Sequence, residues 1–269
     1  MRKFWSYITN GEYSVGCTGQ TVYLYDSNGN EIGKFKDIIY AYAPMFSPNG
    51  KIFIVKSAEG RLAVYSLESF SLVKKFRFSK VDCSQDDGFC FSPDGRYFIN
   101  VECHGDSLHS AVSVYDTTDF SLVHRLDGGD GMMFSEIEYD RATDSYYVLG
   151  AVRGEDMICT RGFVAKYEDG QLRNLTEISM NEKTFYRSYL NLKRSGFAEK
   201  SFAWSYISMS LEEAKALDHS LAKIYAYYNG TSARGKILPE DKLHPAVSES
   251  FEELMAEMEE EILKLKGLT

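Results

Sequence analysis

The chain has 269 residues and a net charge of −9 with a pI near 5.2, and 44% of its residues are hydrophobic and 14% aromatic. This acidic balance excludes nucleic acid as the expected partner, because a protein that grips phosphate groups needs clustered lysine and arginine. The five cysteines form no Cys-x-x-Cys pair, and no apolar run approaches the roughly 18 residues of a membrane-spanning helix. We therefore expect a cytoplasmic protein with reduced thiols and no membrane contact.

Turn signals separate short strand-like runs from the N-terminus onward. Asn10-Gly11 is a hairpin signal, Ser47–Gly50 reads Ser-Pro-Asn-Gly, and Ser92–Gly95 reads Ser-Pro-Asp-Gly. Proline presets one backbone angle, and glycine tolerates the positive φ that closes a tight turn. Each unit is therefore predicted to contain four strands, a to d, which in the second unit cover residues 43–46, 52–57, 61–66 and 71–77.

A tyrosine at the end of an apolar run recurs in strand c of every unit. Consecutive instances lie 40, 50, 52 and 58 positions apart, which is near the length of one propeller blade. Two of these tyrosines are followed directly by an aspartate, at Asp26 and Asp116. The five repeat tyrosines are Tyr25, Tyr65, Tyr115, Tyr167 and Tyr225.

The repeat predicts an all-β fold, a small β-propeller of about five four-stranded blades within residues 1–240. Packing blades around an axis buries both faces of each sheet, and closing the ring protects the edges. The last strand of the fifth blade is expected near residues 236–238, and an incomplete ring closed by a partner or a second copy is the alternative. The predicted blades cover about residues 4–37, 43–78, 88–127, 133–178 and 184–238.

The Ser-Pro-Asp-Gly turn, the strand that ends in Tyr115-Asp116 and the apolar strand after it resemble WD-repeat propellers and related bacterial Ser-Pro-Asp-Gly propellers. The resemblance covers residues 4–178 well and 184–238 poorly. The Gly-His pair that opens WD blades is missing here, and tyrosine stands where that family carries tryptophan. The family's His-Asp-Ser-Trp network therefore does not transfer, and the resemblance implies a fold without implying a function.

The blades lengthen along the chain. The a–b turn and the repeat tyrosine are 14 residues apart in the first blade, from Gly11 to Tyr25, and 29 apart in the fifth, from Gly196 to Tyr225. Because strands rarely lengthen that much, we expect long b–c loops in blades 3 to 5, on the face that also carries the d–a connections. Insertions on one face often mark a binding face. The predicted partner-binding residues are Asp86, Asp87, His104, Asp106, His109, Asp130, Arg153, Glu155 and Asp156.

With Glu102, these residues make the loop-rich face acidic, which favours a basic protein partner, although an acidic chain with polar loops would look the same. The sequence therefore predicts a non-catalytic protein-interaction module, in a specific version an immunity or antitoxin-type protein. An enzyme or small-ligand binder that uses the central pocket of the same face is the alternative. A monomer is favoured, and a dimer that closes the ring stays open.

No catalytic residue, metal or cofactor is predicted. Cys83, Cys90, Cys103, His104 and His109 are zinc-type ligands, but their spacings match no tight ligand pair, and a buried cysteine is usually a small core residue. The chain contains no Gly-x-Ser-x-Gly turn and no phosphate-binding glycine loop followed by a helix.

The C-terminal residues 246–267 predict an amphipathic helix. Ser250 and Glu253 form a capping box, acids fill the first turns, and Lys264 and Lys266 lie near the end, as the helix dipole favours. We expect the helix to pack on the propeller, and pairing with another chain is the alternative. Its apolar stripe consists of Phe251, Leu254, Met258, Ile262 and Leu265.

Overall fold

Four antiparallel sheets, each built from four consecutive strands, form most of the molecule. The computed structural model describes residue 4 and residues 6–78, 88–103, 110–129, 131–154, 156, 158–195 and 251–268. The strands of the first two sheets are β1 (Ser6–Thr9), β2 (Tyr13–Cys17), β3 (Val22–Asp26) and β4 (Glu31–Phe35), then β5 (Ala41–Phe46), β6 (Ile52–Ser57), β7 (Arg61–Ser66) and β8 (Ser71–Arg77).

The third and fourth sheets repeat the same order of neighbouring strands. Because each sheet is a meander in sequence order, each is a propeller blade, and the predicted all-β, WD-repeat-like propeller fold is confirmed. The strands are β9 (Phe89–Phe91), β10 (Tyr97–Cys103), β11 (Ser110–Asp116) and β12 (Leu122–Asp127), then β13 (Met132–Asp140), β14 (Ser145–Arg153), β15 (Cys159–Glu168) and β16 (Gln171–Ile178).

The Ser-Pro-Asp-Gly motif folds through its serine. Ser92 Oγ donates to Asp94 Oδ1 at 2.5 Å and accepts from the backbone N–H of Tyr97 at 2.8 Å, so that it ties both sides of the turn together. Gly95 has a φ of 71°, which only glycine adopts without strain. Ser47 makes the equivalent bonds in the second sheet. The motif is therefore a local device that joins strands a and b.

In the second, third and fourth sheets, the repeat tyrosine packs the sheet against the preceding one. Tyr65 is fully buried between the first and second sheets, where its ring centroid lies 4.9 Å from that of Phe53 and 4.5 Å from that of Phe35. Tyr115 and Tyr167 occupy the corresponding apolar clusters between the second and third sheets and between the third and fourth. The recurring tyrosine is thus an interface residue, and its spacing marks the sheet repeat.

Gly88, just before β9, permits a close approach between the third and fourth sheets. A Cβ atom at this position would lie 2.5 Å from the Cα of Glu136 and 2.6 Å from the carbonyl oxygen of Ser135 in β13. Both atoms belong to the backbone and cannot give way like the end of a flexible side chain. A glycine is therefore required by packing here.

The extra length of the fourth sheet lies in its strands, so the predicted long b–c loop is wrong there. The β14–β15 connection has only residues 154–158, whereas β14 has nine residues and β6 has six. The strands continue because apolar side chains stay buried as far along as Ala151 and Phe163. At about 3.3 Å per residue, three extra residues carry the tip of this hairpin about 10 Å further out than that of the second sheet.

The predicted start of a fifth blade at residue 184 is wrong, because helix α1 (Met180–Ser195) occupies this part of the chain. The helix begins with a capping box, in which the N–H of Glu182 donates to Ser179 Oγ at 3.1 Å and the N–H of Ser179 donates to Glu182 Oε2 at 2.6 Å. Residues 196–238 of the predicted blade, with Tyr225, lie outside the described residues. The buried side chains of α1 follow helical spacing: Phe185, Tyr186, Tyr189 and Leu190.

Helix α1 joins the fourth sheet to the first. It contacts β14 and β15 of the fourth sheet and β1 of the first, and it also contacts helix α2 (Phe251–Leu265). The predicted C-terminal helix is confirmed, and Met258 and Ile262 of its stripe are buried. In the described part of the chain, the helix pair therefore lies beside the fourth sheet, where the sequence had indicated another blade.

A row of acids on β13 faces these two helices, and we call it the acidic row: Glu136, Glu138 and Asp140. Arg187 of α1 lies 3.3 Å from Glu136, and Lys193 lies 3.3 Å from Glu138. Lys266, just after α2, lies 2.7 Å from Glu138 and 2.9 Å from Asp140. Buried charges are tolerated when they are paired and hydrogen-bonded, so these contacts hold the helices to the sheet.

Candidate functional site

The loop end of the molecule is the end at which the b–c connections and the sheet-to-sheet connections lie. Its described residues are 18–21, 36–40, 58–60, 78, 88, 128, 129, 131, 154, 156 and 158, together with the strand ends beside them. Of the nine predicted partner-binding residues, the structure describes Arg153 and Asp156, and it brings them to the same hairpin. The others lie outside the described residues: Asp86, Asp87, His104, Asp106, His109, Asp130 and Glu155.

Arg153 and Asp156 have different roles at this hairpin. Arg153 is half-buried, its Nη2 donates to Met133 Sδ at 2.8 Å, and its backbone N–H donates to the carbonyl of Gly131 at 3.0 Å. Asp156 is exposed, and its carboxylate accepts the backbone N–H of Ile158 at 3.1 Å. The arginine therefore contacts the sheet itself, while the aspartate shapes the hairpin tip and keeps its charge at the surface.

Glu102, expected to add to the acidic surface, is instead buried at the end of β10. It accepts a hydrogen bond from the hydroxyl of Tyr115 at 2.6 Å and pairs with Arg125 at 3.0 Å. Burial, and then the charge of Glu102, raise the pKa of the Tyr115 phenol well above its usual range. The negative charge of Glu102 is therefore balanced inside the third sheet and does not contribute an exposed charge for a partner.

Two exposed apolar residues, Ile39 and Tyr40, lie in the connection between the first and second sheets. Their exposed fractions are 42% and 48%, whereas the preceding Ile38 is buried. Ser57 Oγ donates to the carbonyl of Ile39 at 2.5 Å, and the N–H of Ala58 donates to that of Tyr40 at 3.0 Å. The connection is thus fixed to the b–c turn of the second sheet and holds both side chains outward.

Sequence reasoning missed these residues and also Ile158, which is 60% exposed at the tip of the β14–β15 hairpin. One signal was present. Residues 38–42 are five consecutive apolar residues, more than one buried face of a strand can accommodate. No comparable signal precedes Ile158, whose exposure results from the way the hairpin projects.

Within the described ranges, no group of three or more histidine, cysteine or acidic side chains could hold a metal ion. Cys90 belongs to the apolar cluster between the third and fourth sheets, while Cys83, His104 and His109 lie outside the described residues and only the backbone of Cys103 is described. A search of the described helices found none that is long and apolar enough to span a bilayer.

No family model and no curated protein matches this chain. Among solved structures, it is similar to a WD40 domain from Toxoplasma gondii coronin, with 14% identity, a TM-score of 0.49, and coverage of 65% of this chain and 45% of that one. It is also similar to the dihydro-heme d1 dehydrogenase NirN in complex with DHE, with 18% identity, a TM-score of 0.44, and coverage of 66% and 35%. This chain therefore spans less than half the length of either structure, and these similarities concern the fold alone.

Proposed function

We propose that the chain is a non-catalytic protein-interaction module that binds its partner with the loop end. The observation that carries this proposal is the lengthened β14–β15 hairpin: β14 has nine residues where β6 has six, a difference of about 10 Å at roughly 3.3 Å per residue, and the tip exposes Asp156 and Ile158. A projecting acid beside an exposed aliphatic residue suits a protein surface, where an apolar contact supplies affinity and a charge supplies specificity.

A basic partner fits the exposed carboxylate of Asp156 and the net charge of −9. An immunity or antitoxin-type protein that covers a basic toxin is the specific form we propose for such a module. In this form the partner's basic surface would contact the hairpin tip, and the complex would weaken as salt screens the charges.

Site-specific photo-crosslinking in the native host tests the proposal. Benzoylphenylalanine in place of Ile158, which is 60% exposed, should capture a protein partner, and the same probe in place of Val73, which is 59% exposed on the outer strand β8, should not. Mass spectrometry then identifies the captured protein. Capture at neither position, or equally at both, would contradict a partner site at the loop end.

The charge requirement has a separate test with the identified partner. Asp156→Asn removes the exposed charge but keeps an acceptor for the N–H of Ile158, so the hairpin should keep its shape. We expect weaker binding at low salt and a smaller loss of affinity between about 50 mM and about 500 mM salt than for the wild-type chain. An unchanged salt dependence would show that the partner does not use this charge.

A further inference from the structure

We propose that the interface between the second and third sheets contains a binding site for a buried water molecule, formed by Asn100 of β10 and Ser113 of β11. The site goes beyond the proposed function, because it lies between two sheets and needs no protein partner. It accounts for a buried amide whose hydrogen bonds the neighbouring side chains do not supply.

Asn100 is fully buried, and neither polar atom of its side chain has a hydrogen-bond partner among the described residues. In the part of the chain that the structure describes, no other residue has two such atoms. A buried polar group without a bond costs free energy, and native proteins almost always supply a partner, from protein or from ordered water. The amide of Asn100 therefore needs a partner from outside the chain.

Ser113 lies directly opposite Asn100 in the β10–β11 pair and is also fully buried. Its hydroxyl lies near enough to the phenol of Tyr115 to oppose the rise in pKa that burial causes there, but within the described ranges it makes no hydrogen bond. The Cβ atoms of opposite residues lie about 5 Å apart, so one water molecule can bond to both side chains. The next residue on the same face of β11 is Ala111, which is small and adds little volume beside the pair.

The corresponding pairs in the second and fourth sheets are apolar. They lie two positions from the repeat tyrosine, as Asn100 and Ser113 do, and they belong to the buried clusters between sheets: Val55 with Ala63, and Val148 with Ala165. The sheet repeat therefore does not require polar side chains at these positions. Of these three sheets, the third alone has polar residues at both positions, which fits two residues that bind the same molecule.

The ligand has to donate and to accept hydrogen bonds. The amide nitrogen of Asn100 donates and the amide oxygen accepts, and the hydroxyl of Ser113 can do either. An anion would bond only to the nitrogen and a metal ion only to the oxygen, so each would leave one atom of the amide unpaired. Water satisfies both atoms, and a buried water molecule typically makes about three hydrogen bonds.

Charges of both signs border the site. Lys56 of β6 is fully buried at the same interface, where its ammonium donates to the carbonyl of Val101 at 2.5 Å. Glu102 is fully buried two positions along β10 from Asn100. The carboxylate opposes an anion that the ammonium would attract, so the charges favour a neutral ligand. An anion is nevertheless the competing ligand that the experiment has to separate from water.

Magnetic relaxation dispersion of water oxygen-17 tests the site, because it detects water molecules that stay bound long enough to tumble with the protein. The double variant Asn100→Val with Ser113→Ala introduces the apolar pair of the second and fourth sheets, and circular dichroism checks that it folds. Its dispersion amplitude should be smaller than that of the wild-type chain by the contribution of at least one water molecule.

Ser110→Ala is the matched control. Ser110 is a fully buried serine on the opposite face of β11, and its hydroxyl already accepts the N–H of Phe134 at 2.7 Å and donates to the carbonyl of Met132 at 3.2 Å. This variant should not lower the dispersion amplitude. A second measurement needs only the wild-type chain: the side-chain amide protons of Asn100 should show a nuclear Overhauser effect from water.

The outcomes decide between water, an anion and an unpaired amide. An unchanged dispersion amplitude in the double variant, or the lack of a water contact at the amide protons of Asn100, would overturn the site. Chloride in place of fluoride at constant ionic strength should leave the urea midpoint of the wild-type chain and of the double variant equally affected. A chloride-dependent rise confined to the wild-type chain would show a bound anion and would overturn the water site as well.

Discussion

The interface between the first and second sheets and the joint between the fourth sheet and the helices are held by different forces. The first is an apolar cluster around the buried ring of Tyr65. The second also buries apolar and aromatic side chains of both helices, but in addition it pairs the acidic row of β13 with Arg187, Lys193 and Lys266. The sheet repeat therefore stacks apolar faces, and where the repeat ends, the chain adds paired charges to the apolar contacts that attach the helices to a sheet face.

Because the two interfaces differ in their contacts, different changes should weaken them. Burial of apolar surface is non-directional and tolerates small shifts, whereas a buried ion pair contributes only when both partners keep their geometry. The apolar interfaces between sheets should therefore be sensitive to changes in side-chain volume. The attachment of the helices should be sensitive to changes in charge and pH. We expect the largest loss of stability from damage to the apolar stack and the smallest from loss of a helix cap.

Removing the ring of Tyr65 should have the largest effect. Tyr65→Ala leaves a cavity among Phe35 and Phe53 and should lower the free energy of unfolding by about 4 kcal/mol, measured by urea denaturation. Tyr65→Phe keeps the ring and removes only the hydroxyl that donates to Asp37, so it should cost about 1 kcal/mol or less. Similar losses in both variants would mean that the hydroxyl, and not packing, holds these sheets.

Removing the charge of Lys266 should weaken the attachment of the helices to the fourth sheet. The side chain is 3% exposed, and Lys266→Met would leave Glu138 and Asp140 short of a buried partner, at a cost of about 3 kcal/mol. Lys264→Met is the matched control, since this lysine is 50% exposed and pairs with acids on the surface of α2, where a pair is worth about 0.5 kcal/mol. Equal losses of stability in the two variants would show that the buried charge of Lys266 does not hold the helices to the sheet.

Lowering the pH should weaken the attachment of the helices to the fourth sheet before it weakens the apolar interfaces between the sheets. Burial raises the pKa of Glu138, but the charges of Lys266 and Lys193 outweigh it and hold the pKa below its usual value; Lys266 does the same for Asp140. A carboxyl whose pKa is lowered by folding stabilises the fold above its unfolded pKa of about 4 and loses this contribution as pH falls.

The protection factors of amides in α1 and α2, which correct for the pH dependence of intrinsic exchange, should therefore fall between about pH 5 and about pH 3 more than those of β6 and β7. The gap in stability between the wild-type chain and Lys266→Met should narrow over the same range, because the variant lacks the charge that lowers both pKa values. A gap that stays constant would show that these carboxyls do not titrate with the joint.

The cap of α1 should have the smallest effect. Ser179→Ala removes the acceptor for the N–H of Glu182 and should cost about 1 kcal/mol, with faster hydrogen exchange in the first turn of α1. Ser179→Asp keeps a capping oxygen and should remain close to wild type. If both variants behave alike, the helix start depends on tertiary packing and not on its cap.

The features that sequence predicted correctly depend on neighbouring residues. The Ser-Pro-Asp-Gly turn closes within six residues, from Ser92 to Tyr97, and an apolar run ending in tyrosine forms strand c in all four described sheets. The error at the fifth blade has a similar local origin. The capping box of Ser179 and Glu182, followed by buried residues at helical spacing, was present in the sequence but was outweighed by an expected repeat.

The candidate site was harder to predict because exposure is not a local property. Arg153 and Asp156 lie three residues apart on one hairpin, yet one contacts the sheet and the other stays at the surface. From the sequence, Glu102 looks like a surface acid. In the structure it is buried and contacts Tyr115 and Arg125. Ile39 and Tyr40 look like strand residues until the turn at Ser57 holds their backbone outward.

The sequence by itself determined the repeating sheet, its turns, the tyrosine in strand c and the C-terminal helix, because turn chemistry and hydrophobic period act over a few residues. Only the tertiary structure decided where the two helices pack and which charges remain exposed. Lys266 meets Asp140 across 126 positions of the chain, and no local pattern encodes such a pair. Its strength comes from the attraction of opposite charges where water is excluded, and that environment exists only once distant segments have packed together.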